Sequence, residues 1–173
     1  MISFYLQGEP PHTTAQQKGV RVLKSRTTGK LRPMFFQKEK VREAEAWFVS
    51  RMAPFAPRTQ SATVAFEAHV PLKLEVCFVF NWNKPELKKR AKGLLAECQW
   101  KTTPPDTDGS LKLCKDVLTA QGFWQDDAQV VEETTRKVFG DRPGVFVSIS
   151  ALKPYDAMPA VWHRATHHIM PVL

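Results

Sequence analysis

Pro104-Pro105-Asp106-Thr107-Asp108-Gly109 opens, and Gly122-Phe123-Trp124-Gln125-Asp126-Asp127-Ala128 closes, the stretch on which the reading of this chain turns. Between them Leu111, Cys114, Val117 and Leu118 recur on one face, with Ser110 in a capping position, which predicts a helix over 110–120. Gly122 ends it. Val130, Val131, Thr134, Thr135 and Val138 then predict a strand over 129–139. One aspartate pair is therefore expected on the loop before the helix and the other on the loop after it. A helix of that length spans about 16 Å, so the pairs meet only if the second turns back beside the first at a sheet edge.

All seven aspartates of the 173-residue chain lie between Asp106 and Asp156, yet the chain is basic, with 25 Lys and Arg against 17 Asp and Glu. An acidic knot suits Mg²⁺ or Mn²⁺, which prefer carboxylate oxygens. The basic surround suits a polyanion. Together they point to chemistry on nucleic acid. The bland readings stay open: Pro-Pro-Asp and Asp-Gly are ordinary turn chemistry, and Asp126-Asp127 fits a solvated hairpin turn.

Working outward, residues 2–7 read as a strand closed by Gly8 and Pro10-Pro11. Residues 9–33 are polar, basic and irregular or hairpin-like. From Lys18 to Arg42 nine basic residues face the single acid Glu39, so this stretch offers phosphate contacts, with Lys24, Arg26, Lys30 and Arg32 as candidates. Val41, Ala44, Phe48 and Met52 predict a helix over 38–52, stopped by Pro54 and Pro57. Residues 62–80 read as two strands broken near Pro71, the second apolar on both faces towards its end, as a central strand would be. Residues 84–92 predict a helix with Pro85 in its first turn, and 145–152 a last strand. Strands and helices interleave without regular alternation, so the fold class is α+β, one domain over 1–153 with a mixed sheet flanked by helices. Residues 154–173 form a tail.

The three cysteines, Cys77, Cys98 and Cys114, have no metal-site spacing and imply reduced thiols. No apolar run is long enough for a membrane span, and the start lacks the pattern of a signal peptide. A cytoplasmic protein is the expectation. His163 and His167 have i, i+4 spacing but no accompanying glutamate, and with His168 they belong to the tail. No phosphate-binding, dinucleotide-binding or serine-hydrolase motif is present. Trp82, Trp100 and Trp124 suit stacking on bases, or more simply a partly buried core.

The segment Pro105-Asp106-Thr107-Asp108-Gly109-Ser110-Leu111-Lys112, then Asp116-Val117-Leu118, then Gly122 to Val131, resembles the RusA family of Holliday-junction resolvases. The resemblance is specific over 104–131 and extends loosely over 1–152. It implies a homodimeric, Mg²⁺- or Mn²⁺-dependent endodeoxyribonuclease that nicks four-way DNA junctions symmetrically in recombination and repair. Such proteins are bacterial and often encoded by prophages or phages. Carried over by position, Asp106, Asp108 and Asp127 match the metal-binding catalytic aspartates, Lys112 matches the catalytic lysine, and Asp126 is a supporting residue. Gly109 departs from the pattern, standing where the family usually has asparagine, and loosens the expected turn. A catalytically silent junction binder, or a nuclease for flaps or forks, is the alternative on the same fold.

Overall fold

The computed structural model describes residues 1–13, 18–24, 29–57, 64–93 and 97–153. The tail histidines and Arg26 fall outside them. In chain order the elements are β1 (Ile2–Gln7), β2 (Lys18–Lys24), β3 (Leu31–Gln37), α1 (Glu39–Met52), β4 (Leu72–Phe80), α2 (Lys84–Ala91), β5 (Cys98–Trp100), α3 (Thr107–Ala120), β6 (Val130–Gly140) and β7 (Gly144–Ala151). Five strands form one mixed sheet in the order β1-β7-β4-β6-β5, and β2 and β3 form a separate antiparallel hairpin. β4 and β6 run parallel; every other neighbouring pair is antiparallel. The expected α+β class with a mixed sheet is what the chain adopts.

β4 is central because it has no exposed face to offer. Leu72, Leu74, Val76, Phe78 and Phe80 are buried on one side, and Lys73, Glu75, Cys77 and Val79 are half-covered on the other. α1 packs against α3 and β1, burying the four residues that its periodicity predicts, Val41, Ala44, Phe48 and Met52. Of these, Ala44, Phe48 and Met52 join Phe4, Leu6, Leu111, Leu118, Phe123, Val147 and Ile149 in one core. Trp124 is fully buried there, and its indole N–H donates to Thr119 Oγ1 at 2.7 Å. α2 is capped by Asn83, whose Oδ1 accepts from the Glu86 amide at 3.0 Å. It is tied down by Arg90, which forks onto Asp141 in the β6–β7 turn and lies over the Trp82 ring.

Three local expectations need correction. Residues 64–71 form turns, not a first strand: the Ala65 and Phe66 amides donate to Gly122 O and Phe123 O at 2.9 and 3.1 Å, and His69 has φ of 66°. The helix expected over 110–120 starts at Thr107, because Ser110 is not its cap. The Ser110 hydroxyl and amide instead both donate back to Asp106 O, at 2.9 and 3.2 Å. β5 carries no strand pattern in its sequence; its three exposed residues are strand because β6 offers an edge to pair with.

Gly144 opens β7 with no room for a side chain. A Cβ there would strike the Tyr5 ring and meet Leu6 O at 2.6 Å. Gly144→Ala should therefore lower stability by about 1–3 kcal/mol, read from the shift in urea midpoint at unchanged slope.

Candidate active site

Asp106 is the N-cap of α3, with extended φ and ψ of −74° and 148°, and its side chain makes no capping hydrogen bond. The carboxylate is exposed, so the helix does not consume it. Asp108 stands in the first helical turn rather than on a loop. Gly109 likewise lies within α3, buried, and so does not loosen a turn. Asp108, Lys112 and Asp116 follow one another at i, i+4 along an exposed row of the helix. Lys112 Nζ lies 3.2 Å from Asp116 Oδ1. This solvated pair holds the lysine weakly, leaving it able to swing to a ligand at the Asp108 end.

Two further lysines support this end. Lys137 Nζ, on β6, donates to Thr103 O at 2.9 Å and Pro105 O at 2.6 Å, gripping the turn that delivers Asp106. Lys101 is buried. Its Nζ donates to Thr103 Oγ1 at 2.7 Å and lies over the rings of Phe80 and Phe139. Burial, helped by the neighbouring Lys137 charge, pulls its pKa down.

The second pair is set by the exit from α3. Gly122, at φ of 78°, lets its own amide donate to Thr119 O and that of Phe123 to Leu118 O, at 3.0 and 3.1 Å, which stops the helix. Asp126 then caps a single 3₁₀ turn, Asp127–Gln129, with its Oδ1 accepting from the Ala128 amide at 2.8 Å. Asp127 is the first residue of that turn and is half-exposed.

α3 and β6 run in opposite directions. Lys115 Nζ meets Glu133 at 3.3 Å in the middle, and Lys137 reaches Pro105 at the helix start. From Val130 to Lys137 an extended strand covers about 23 Å, and α3 is about 21 Å long. The Asp106–Asp108 pair and the Asp126–Asp127 pair thus stand towards opposite ends of α3. Among the described residues, no three His, Cys, Asp or Glu side chains are grouped to hold a metal ion. The donors suit a hard divalent cation in kind, being carboxylate oxygens. One chain alone does not gather them at a point.

The sequence model of the family described as Endodeoxyribonuclease RusA matches residues 10–150. The chain belongs to the RusA endodeoxyribonuclease family. It is also 30% identical over 138 residues to a "Crossover junction endodeoxyribonuclease rusA" of Lactococcus phage r1t, covering 80% of this chain and 88% of that protein. Membership makes the chain a nuclease, and both aspartate pairs, Lys112 and the basic hairpin lie within the matched span. No described helix is long and apolar enough to cross a membrane.

Reading the sequence for carboxylates overlooks the residue that fixes the second aspartate pair. Gln129 is buried, and its amide is fully used. Its Oε1 accepts from the Gln125 and Asp126 amides at 3.0 and 3.2 Å. Its Nε2 donates to Glu67 O at 2.7 Å and Val70 O at 3.3 Å. Gln129 therefore fastens the aspartate turn to the 67–70 loop, across a cleft of about 700 Å³ lined by His69, Val70, Gln125, Asp126 and Val131 among others. The capping-box spacing, Asp126 to Gln129, was the legible signal. Gln129→Leu strands two amides and two carbonyls. It should lower stability by about 2 kcal/mol or more in chemical melts and release the Asp126–Asp127 turn, seen as faster amide exchange at Asp126 and Ala128.

Proposed function

We propose that this RusA-family nuclease resolves four-way DNA junctions by nicking two opposed strands, as a homodimer that uses Mg²⁺ or Mn²⁺. The observation that carries the reading is the unbroken pattern Asp106-x-Asp108, Lys112, Asp126-Asp127-x-Gln129-Val130 inside a family match that spans most of the chain. Asp106, Asp108 and Asp127 would hold the metal, with Asp126 in support. A bound divalent ion would supply an activated water and polarise the scissile phosphate. Lys112, at the Asp108 end of α3, offsets negative charge that builds on the phosphate oxygens. Lys24, Arg26, Lys30 and Arg32 contact phosphates and position junction arms without reading bases. Retention of every charged position argues against a silent DNA binder. A phage or prophage origin, with action in the bacterial cytoplasm, fits the phage-encoded relative.

The placement of the carboxylates supports the homodimer. Because the two aspartate pairs of one chain stand towards opposite ends of α3, we assign each site to two chains, Asp106 and Asp108 from one and Asp127 from its partner. Asp108→Asn and Asp127→Asn should each lose at least about a thousandfold in nicking of a synthetic junction, the scale at which electrostatic groups act, while still binding it. When the two inactive variants are mixed, refolded together and assayed, one intact site per heterodimer should restore nicking on a single strand. No recovery would place all the carboxylates of a site in one chain. Cleavage of flaps but not junctions would move the substrate to other branched DNA.

Binding should also be strongly salt-dependent. With six or more phosphates neutralised, affinity for the junction should fall by about a thousandfold between about 50 and 200 mM salt, measured by fluorescence anisotropy in Ca²⁺ to prevent cleavage.

A further inference from the structure

The β2–β3 hairpin carries more than charge. Its register pairs Val22 with Pro33 and Lys24 with Leu31, and Val20 stands two residues before Val22 on the same strand. Since side chains alternate along a strand, these positions share one face. On that face Val20 is 57% exposed, Val22 59% and Leu31 68%, and Pro33 is exposed as well. The two strands form a sheet of their own, and among the described residues they lie chiefly against each other. An apolar sheet face left in water marks an interaction surface.

Charge decides what covers it. Residues 10–38 contain seven Lys and Arg and no Asp or Glu, and Lys24 and Lys30 are exposed at the Lys24–Leu31 end of the hairpin. A second copy of the chain docking here would bring two uniformly basic hairpins together, which repel. A polyanion with apolar surface fits both properties at once. Nucleic acid shows such surface where base stacking is interrupted, and a two-stranded ribbon is narrow enough to enter a groove. Apolar side chains wedged at a base step are a recognised way to hold distorted DNA.

We propose that the β2–β3 hairpin is a branch-point wedge. Val20, Val22, Leu31 and Pro33 pack on bases exposed at the centre of a branched DNA, while Lys24 and Lys30 hold the flanking phosphates. The hairpin thereby selects branched over linear DNA. This inference rests on the junction-resolving reading above and adds the source of its structure selectivity.

The test compares wild type with Val22→Ser/Leu31→Ser and, separately, with Lys24→Ala/Lys30→Ala, in Ca²⁺. Binding is measured to a four-way junction carrying 2-aminopurine at the branch and to linear duplex of the same sequence. Both substituted surfaces are exposed, and matching circular dichroism and melting confirm that the variants fold. The wedge predicts that the serine variant loses about tenfold of its junction-over-duplex preference, the scale of a lost apolar contact at a base step. It should keep its duplex affinity within about twofold and no longer brighten 2-aminopurine. The alanine variant should instead weaken both substrates alike and flatten the salt slope by about 1.8. An unchanged preference and fluorescence response in the serine variant overturns the wedge and leaves the nuclease reading intact. Loss of self-association by that variant in sedimentation, with preference retained, also overturns it and makes the face a protein interface. If wild type itself shows no preference for the junction, the junction reading fails and takes the wedge with it.

Discussion

The parallel pairing of β4 with β6 is the constraint on which the rest of the molecule depends. Two parallel neighbours cannot be joined by a hairpin; the chain must leave the sheet and return from the other end. That excursion here runs through α2, β5 and α3 and carries Asp106, Asp108, Lys112, Asp126 and Asp127. Because α3 makes the return across the sheet, its start and its exit are held apart by its own length. The central strand thereby sets the spacing of the acidic groups. β7 can then lie antiparallel beside β4 on the other side, leaving β4 inside the sheet between β7 and β6.

Each end of α3 is anchored by a polar side chain that satisfies backbone groups, not by apolar packing alone. At the start, Lys137 neutralises two carbonyls of the turn before Asp106. At the exit, Gln129 closes four backbone groups around the Asp126–Asp127 turn. These residues leave the carboxylates at the surface and spend the buried hydrogen-bonding capacity on the loops beneath them. Rigid loops under exposed acids are what a cation site needs, because the carboxylates repel one another until a cation arrives. Asp141 shows the contrast. It belongs to the same cluster in sequence, yet Arg90 and Trp82 take up its oxygens in a structural tie between α2 and the sheet. Proximity in sequence therefore does not separate a structural carboxylate from a candidate ligand; what each carboxylate touches does.

The sheet and helices were largely legible in the sequence where a single period ran without interruption. α1 shows its buried stripe directly, and β4 and β7 are short apolar runs bounded by turns. Ser110 resembles a cap and so hides the true start of α3; its hydroxyl turns back to the Asp106 carbonyl inside the helix. A polar residue of that kind serves either role, and only the surrounding backbone settles which. Residues 64–71 misled for the same reason: alternating residue types permit a strand, but the partners they found lie at the exit of α3.

By itself the sequence determined the family, through the spacing of the carboxylates and the lysine, and named those groups as candidates for its chemistry. These are local patterns, and a motif survives being read in one dimension. Tertiary structure decided where those groups stand. It placed the two aspartate pairs towards opposite ends of one helix, drew Gln129 and Lys137 beneath them, and left an apolar face of the basic hairpin in water. Those outcomes depend on contacts between residues far apart in the chain, such as Gln129 with Glu67 and Lys137 with Pro105. Such pairings are selected by the packing of the whole core and carry no signature in either partner's neighbours.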